Sequence, residues 1–256
     1  NEVEFAVGYS EPNAGSDAAS MRLKGERGER DGKTGWILNG QKTWTTSAHF
    51  AEWYWLGVRT DPNNKHRGIT LMLVDDVFVP DEYVVGEVNS GFQYISQALD
   101  LERFTMFTFA PIKERLDVLC DHIRTETRDG EPLKDDPIIR QRIAQLATEA
   151  EVARVMGLRV VAESMKADEV PGTPPPTVES SQYKLFATEF SRRLANASMD
   201  LGAPGTQLRV KTADAPMQGR PESTYRYTVI DTIGGGSSEI QKNEIARRGL
   251  GLPKNF

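Results

Sequence analysis

The period of the apolar residues changes once along this chain, and that change constrains the fold more than any other feature. Up to about residue 88 the apolar residues form short β-rich runs separated by turn-prone segments. From about Asn89 onward they recur every three or four positions, as expected for helices. We therefore predict an α+β protein, with an antiparallel sheet or barrel over residues 1–88 and a helical bundle over residues 89–256.

The β-rich runs are rich in β-branched and aromatic residues and have the length of ordinary strands. They lie at residues 4–9, 35–38, 53–58 and 69–74. Asp31-Gly32-Lys33 and Asn39-Gly40 are typical turn sequences between such strands.

Several helix boundaries can be predicted from capping residues and breakers. Asp136 followed by Pro137 is typical of a helix start, with the aspartate as N-cap. A further helix is expected over residues 178–201, followed by an irregular polar segment over residues 203–225. Pro111 is expected to kink or end the first long helix.

Composition excludes several functional classes. The net charge of −6 argues against a general nucleic-acid surface, and no apolar run approaches the roughly 20 residues that span a bilayer. Cys120 is the single cysteine, which fits a reducing compartment such as the cytoplasm, or the mitochondrial matrix of a eukaryote. We assign no metal site. The start at Asn1, without a methionine, suggests that this sequence is part of a longer protein.

The first candidate binding segment is Ser10-Glu11-Pro12-Asn13-Ala14-Gly15-Ser16-Asp17. Gly15 would let the backbone approach a bulky ligand, and the hydroxyl and amide groups could hydrogen-bond to it. Taken alone, the segment favours a plain loop, because the same residue types form turns.

A second candidate is Lys42-Thr43-Trp44-Thr45-Thr46-Ser47. An aromatic ring beside hydroxyl groups can cover a flat heteroaromatic cofactor and donate hydrogen bonds to it. Taken alone, the segment favours an edge strand.

A third candidate is the triple glycine, Gly234 to Gly236, which leads into a short helix. Such a segment can bind a pyrophosphate at the helix N-terminus, or it can be a flexible turn. Ser238 and Gln241 have the spacing of a capping box.

The fourth candidate is Glu102, which interrupts an otherwise apolar helical stripe. The stripe consists of Phe92, Ile95, Leu99, Met106 and Phe109. A carboxylate in such a position needs a partner or a function. It either pairs with Arg103 or a bundle partner, or acts as a general base of raised pKa at the end of an apolar cavity.

Together and in this order, these segments resemble the acyl-CoA dehydrogenase family. Residues 10–17 match its flavin motif, and Asn39–Thr46 match its Asn-Gly-x-Lys-x-Trp-x-Thr string. Asp75–Pro80 match its Asp-Asp-Val-x-Val-Pro turn, and Gly236–Gln241 match its terminal Gly-Thr/Ser-Ser-Glu-Ile-Gln segment. The resemblance covers almost the whole chain.

The resemblance implies an FAD cofactor and assigns roles to individual residues. The cofactor contacts would come from Tyr9, Ser10, Gly15, Ser16, Trp44, Thr46, Ser237 and Glu239. Ser16 would also lie near the bound thioester, and Asp100 and Arg103 match positions that contact the acyl-CoA.

The resemblance also identifies the base. Many members carry the catalytic glutamate directly before the Gly-Thr/Ser motif, where this chain has Gly235. Isovaleryl-type and long-chain-type members place it on a helix before an arginine, as Glu102 stands before Arg103. Glu102 is therefore expected to be the catalytic base.

The expected reaction is α,β-dehydrogenation of an acyl-CoA to a trans-2-enoyl-CoA, with an electron-transferring flavoprotein as acceptor. The three consecutive glycines could widen the pocket for a branched or bulky acyl group, such as a sterol side chain. The family leads us to expect a dimer or tetramer, built from identical or different subunits.

The chain departs from the family pattern in places. The family's N-terminal helical domain is absent from this sequence, and its Arg-x-x-Phe-Gly segment is replaced around Arg128-Asp129-Gly130. Met199 stands where the family usually has glutamine. These changes keep open a non-catalytic subunit of a heteromeric dehydrogenase. An oxidase or a flavin monooxygenase on the same fold is a further alternative, although Glu102 argues against the monooxygenase.

Overall fold

The computed structural model describes residues 3–105 and 108–253, except for the side chains of residues 100, 101 and 105. The chain divides into two compact units, Asn1–Leu99 and Asp100–Phe256, and each is described by itself. The domain boundary inferred from periodicity, between residues 88 and 89, stays a prediction.

The first unit contains a seven-stranded, mainly antiparallel sheet with the order β6-β3-β2-β4-β5-β7, in which β1 pairs in parallel with β4. The strands are β1 (Phe5–Gly8), β2 (Lys24–Arg30), β3 (Lys33–Asn39), β4 (Trp53–Arg59), β5 (Ile69–Val74), β6 (Phe78–Pro80) and β7 (Val84–Val85). The predicted sheet is thus confirmed, and its four predicted strand runs correspond to β1, β3, β4 and β5.

Strand β5 is buried on both faces, which explains its nearly continuous apolar sequence. Ile69 and Leu71 belong to one apolar cluster, together with Ile95 of the following helix. Met72 and Val74 point to the opposite face and join a second cluster with Trp36. The core of this unit therefore lies on both sides of the sheet.

Strand β2 was not predicted, because most of its residues are polar and exposed. Antiparallel hydrogen bonding to β3 stabilises this strand. The turn at Asp31-Gly32 joins the two strands, with Arg30 opposite Lys33. Both turn residues have positive φ, 53° and 75°, as the tight two-residue hairpin turn requires.

The second unit is helical and contains one small hairpin of β8 (Thr127–Arg128) and β9 (Glu131–Pro132). The helices are α1 (Gly91–Thr105), which begins in the first unit, α2 (Phe109–Thr125), α3 (Pro137–Glu169), α4 (Thr177–Leu201), α5 (Arg220–Asp231) and α6 (Ser238–Glu244). The core includes Leu119 of α2, Leu146 of α3, and Phe190 and Leu194 of α4.

The predicted start of α3 is confirmed, since the Asp136 carboxylate accepts hydrogen bonds from the amides of Ile138 and Ile139 at 2.7 and 3.2 Å. Two other helix predictions are wrong. Pro111 lies in the first turn of α2, where a missing N–H costs nothing, so it neither kinks nor ends α1. The segment expected to be irregular up to residue 225 contains the start of α5 at Arg220.

Within the described parts of the chain, no helix has both the length and the apolar character that crossing a membrane requires.

Candidate functional site

The two N-terminal candidate segments lie side by side in the first unit. The Thr43 amide donates a hydrogen bond to the carbonyl of Ser10 at 3.0 Å. Residues 11–14 form a tight turn, in which Glu11 and Ala14 exchange two backbone hydrogen bonds of 3.0 Å. The turn predicted for this segment is confirmed, and the segment is held against residues 42–43.

Residues 41–47 are an irregular loop rather than the edge strand that the sequence favoured. Trp44 has a positive φ of 58°, which breaks any extended ladder at that point. Its side chain is 89% exposed. A large aromatic side chain with both features is costly to maintain and is a candidate for contact with a ligand.

The other predicted residues of this region present polar groups at the surface of the unit. Ser16, Gly15 and Thr46 are exposed, and Tyr9 and Ser10 are half-buried. Apart from Gly15 and its two chain neighbours, no described heavy atom lies within 4 Å of the position that a Cβ at Gly15 would occupy. The segment therefore offers hydroxyl groups and an unobstructed backbone to a ligand.

The triple-glycine segment of the second unit is a defined turn. Gly235 and Gly236 have positive φ values of 61° and 90°. The Lys184 Nζ donates a hydrogen bond to the Gly236 carbonyl at 2.8 Å, and the Gln241 Nε2 contacts the carbonyls of Gly235 and Gly236 at 3.0 Å each. The sequence left open a flexible turn, but side-chain hydrogen bonds hold this turn in a defined conformation.

The predicted capping box at Ser238 is wrong by one residue. Ser237 is the N-cap of α6, and its hydroxyl accepts a hydrogen bond from the Ile240 amide at 3.4 Å. Ser238 is buried and instead donates to the Glu189 carboxylate at 2.6 Å. With Ser237 as the N-cap, the third helical position is Ile240 rather than Gln241, so these residues do not form a capping box.

Glu239 follows in the first turn of α6 and is exposed. Hydrogen bonds from its own backbone amide and from the Ser237 hydroxyl lower the pKa of its carboxyl group. Both residues predicted to hold FAD in this unit therefore lie at the start of α6, directly after the glycine turn.

Glu102 lies on α1 and is half-buried. Burial raises the pKa of its carboxyl group above the ordinary value of 4.5, and the charge of the neighbouring Arg103 only partly offsets that effect. Arg103 is itself buried, at 9% exposure. Asp100, the other predicted substrate contact, has a side chain outside the described residues.

The sequence analysis did not predict a group of buried charges on α4 and α5. Lys184 is fully buried, and burial lowers the pKa of its amine to about 8, against the opposing charges of Asp231 and Glu189. Burial also raises the pKa of Asp231, although the charges of Arg115 and Lys184 oppose it.

A sequence signal for this group does exist. The buried polar residues of α4 recur at helical spacing, at Thr177, Ser180, Ser181, Lys184, Thr188, Ser191 and Ser198. That spacing predicts a second buried face of small and polar residues beside the apolar one.

Comparison with protein families matches both units. The middle domain of acyl-CoA dehydrogenase matches residues 6–86, and the C-terminal domain of acyl-CoA dehydrogenase matches residues 89–250.

Among curated proteins, acyl-CoA dehydrogenase FadE26 of Mycobacterium tuberculosis is 30% identical over 283 residues, which cover 99% of this chain and 69% of that protein. The mitochondrial isovaleryl-CoA dehydrogenase of Solanum tuberosum is 27% identical, over 94% of this chain and 62% of its own length.

Among solved structures, the ChsE4-ChsE5 complex from Mycobacterium tuberculosis is similar with a TM-score of 0.85 and 30% identity, covering 99% of this chain and 70% of that chain. The Tcur3481-Tcur3483 steroid acyl-CoA dehydrogenase has a TM-score of 0.86 and 25% identity, with 99% and 69% covered. The chain therefore belongs to the acyl-CoA dehydrogenase family of flavin-dependent oxidoreductases.

Proposed function

We propose that this chain is the flavin-binding and catalytic part of an FAD-dependent acyl-CoA dehydrogenase, with Glu102 as the base. The observation that carries the proposal is the half-buried Glu102, whose pKa is raised by burial. The position that carries the base in many other members is Gly235, which has no side chain to accept a proton.

Glu102 removes the α-proton of the acyl thioester, because a raised pKa makes its carboxylate a stronger base than an exposed glutamate. The proton ends on the Glu102 carboxyl group, and the C–H electron pair becomes the new C=C bond of the enoyl product. When bound, FAD supplies the hydride acceptor for the β-carbon. Arg103, adjacent and buried, favours the carboxylate form and so moderates the pKa.

The exposed side chains of the first unit suit a flat cofactor. We assign flavin contacts to Tyr9, Ser10, Gly15, Ser16, Trp44 and Thr46 there, and further FAD contacts to Ser237 and Glu239 in the second unit. Trp44 supports this assignment most directly, because its positive φ and 89% exposure have a physical reason if a ring stacks on the indole.

The substrate contacts we propose are Ser16, Asp100 and Arg103. A branched or bulky acyl group, such as a sterol side chain, fits the three glycines at residues 234–236, which carry no side chains to narrow a pocket. The similarity to a steroid acyl-CoA dehydrogenase supports the same choice. Far better turnover of straight short-chain acyl-CoAs than of branched ones would contradict it.

We propose an electron-transferring flavoprotein as the acceptor and a dimeric or tetrameric assembly.

One observation keeps a non-catalytic subunit as the second candidate. Arg128, at the segment that replaces Arg-x-x-Phe-Gly, donates hydrogen bonds to the carbonyls of Leu201 and Ala203 at 2.9 and 3.1 Å. It is thus engaged inside its own unit, and a partner subunit would have to supply the contact that this segment makes in other members.

Anaerobic flavin bleaching tests the proposal. The full-length protein, purified with its bound flavin, is mixed with a panel of acyl-CoAs, and wild type is compared with Glu102→Gln. Bleaching in wild type and none in the variant, with FAD bound in both, is the expected result. Equal bleaching would place the base elsewhere. A colourless protein, or no bleaching with any thioester, would favour the non-catalytic subunit.

A further inference from the structure

The first unit contains a buried ion pair that joins its two candidate segments. The Nζ of Lys42 lies 2.9 Å from the Oε1 of Glu11, across a separation of 31 residues. The two side chains are 7% and 8% exposed. The other ion pairs that the structure describes in this unit have side chains that are 41% exposed or more, so this pair is of a different kind.

The pair also forms hydrogen bonds with three backbone groups. The Glu11 carboxylate accepts hydrogen bonds from the amides of Arg22 and Leu23 at 2.6 and 2.9 Å. The Lys42 ammonium additionally contacts the carbonyl of Tyr9 at 3.4 Å. Burial on its own would raise the pKa of Glu11, but the hydrogen bonds from Lys42, Leu23 and Arg22 outweigh it and the pKa is lowered.

A buried ion pair is a poor source of net stability, since desolvation of both charges offsets their attraction. Its distinctive property is geometric, because it is satisfied only when its surroundings adopt one arrangement. The arrangement here concerns the residues next to the pair. Tyr9 and Ser10 precede Glu11, Trp44 follows Lys42 by two positions, and the Thr43 amide binds the Ser10 carbonyl.

We propose that Glu11 and Lys42 are positioning residues, which hold the Tyr9-Ser10 backbone and the Thr43-Trp44 loop in the arrangement that receives the flavin. The inference rests on the proposed function, because the flavin contacts themselves are part of that proposal. Neither side chain needs to touch the cofactor, because both are buried and act through the backbone next to the proposed flavin contacts.

The test compares Lys42→Met with Lys33→Met in the full-length protein. Lys33 forms an exposed ion pair with Glu82 at 3.1 Å in the same unit, so it controls for the loss of a lysine charge. The measurements are the FAD dissociation constant of the reconstituted apoprotein and the visible absorbance spectrum of the bound flavin. We expect Lys42→Met to weaken FAD binding by about tenfold or more and to shift the spectrum, because the binding loops lose their preorganisation. Lys33→Met should leave both unchanged.

Lys42→Met leaves the Glu11 carboxylate buried without its cation, which destabilises the fold as well as misplacing the loops. The double variant Glu11→Gln, Lys42→Met removes both charges and keeps an amide that can still accept from Arg22 and Leu23. Its fold is checked by circular dichroism and cooperative thermal unfolding. Weakened FAD binding and a shifted spectrum in the folded double variant support the inference. Unchanged binding and spectrum overturn it, and a wild-type protein that takes up no FAD overturns the proposed function as well.

Discussion

The Nζ of Lys184 on α4 donates a hydrogen bond of 2.8 Å to the carbonyl oxygen of Gly236, across 52 residues of sequence. Gln241 contacts the same carbonyl from α6, so two side chains from different helices brace one glycine turn. The turn leads directly into Ser237 and Glu239, the residues proposed to hold FAD in this unit. A buried lysine therefore controls the geometry of a segment that the sequence presents as a flexible glycine run.

The conformation of the glycine turn can be tested with two alanine substitutions. Gly236 has φ of 90°, and a Cβ there would lie 2.7 Å from the Nε2 of Gln241. Gly236→Ala should therefore lower the free energy of unfolding by about 1–3 kcal/mol. Gly234→Ala is the matched control, since its Cβ would meet only the Ile230 carbonyl at 3.6 Å. Chemical denaturation measures both, and equal destabilisation would contradict the braced turn.

Replacing the proposed base should remove catalysis without removing the cofactor. Glu102→Gln keeps the shape of the side chain but cannot accept the α-proton, so the rate of flavin reduction by acyl-CoA should fall roughly 10²–10⁴-fold. Stopped-flow absorbance under anaerobic conditions measures that rate. Glu131→Gln, an exposed glutamate on β9, should react at the wild-type rate. A Glu102→Gln rate within a few-fold of wild type would remove Glu102 from the mechanism.

The raised pKa of Glu102 predicts opposite pH trends for activity and stability. The base acts only when ionised, so the reduction rate should rise with pH through a pKa above the ordinary 4.5. The folded state binds this proton more tightly than the unfolded state. The stability that this group contributes is therefore full below pH 4.5 and is lost as pH rises through the folded pKa. Unfolding titrations of wild type and Glu102→Gln should differ in that window, and identical curves would argue against a raised pKa.

Lys184 predicts a pH trend in the alkaline range. Burial lowers the pKa of its amine to about 8 from 10.5, so the unfolded chain holds a proton that the folded protein releases. The unfolding free energy of wild type, relative to Lys184→Met, should therefore rise between pH 8 and 10.5. Below pH 8 the difference between the two proteins should stay constant. Urea denaturation at several pH values measures the difference, and a flat difference across that window would contradict the lowered pKa.

Local sequence was sufficient for the elements that are stabilised locally. The apolar runs predicted four of the strands, the Asp31-Gly32 pair predicted the turn before β3, and Asp136-Pro137 predicted the start of α3. The ordered motifs also identified the family, because each motif is a contiguous string that can be recognised without its surroundings. The site assignments derived from those motifs, Glu102 above all, stay predictions until the experiments above are done.

The features that the sequence did not predict depend on groups outside their own segment. Strand β2 is polar and exists because β3 pairs with it, and α5 begins inside a segment whose composition is typical of a loop. The burial of Lys42 cannot be inferred from its neighbours in sequence, and the spacing of α4 places Lys184 on a buried face without identifying the group that it contacts. Their partners, Glu11 and Gly236, are 31 and 52 residues away. Burying a charge carries a large free-energy cost unless other groups supply its hydrogen bonds, and only the tertiary fold brings those groups together.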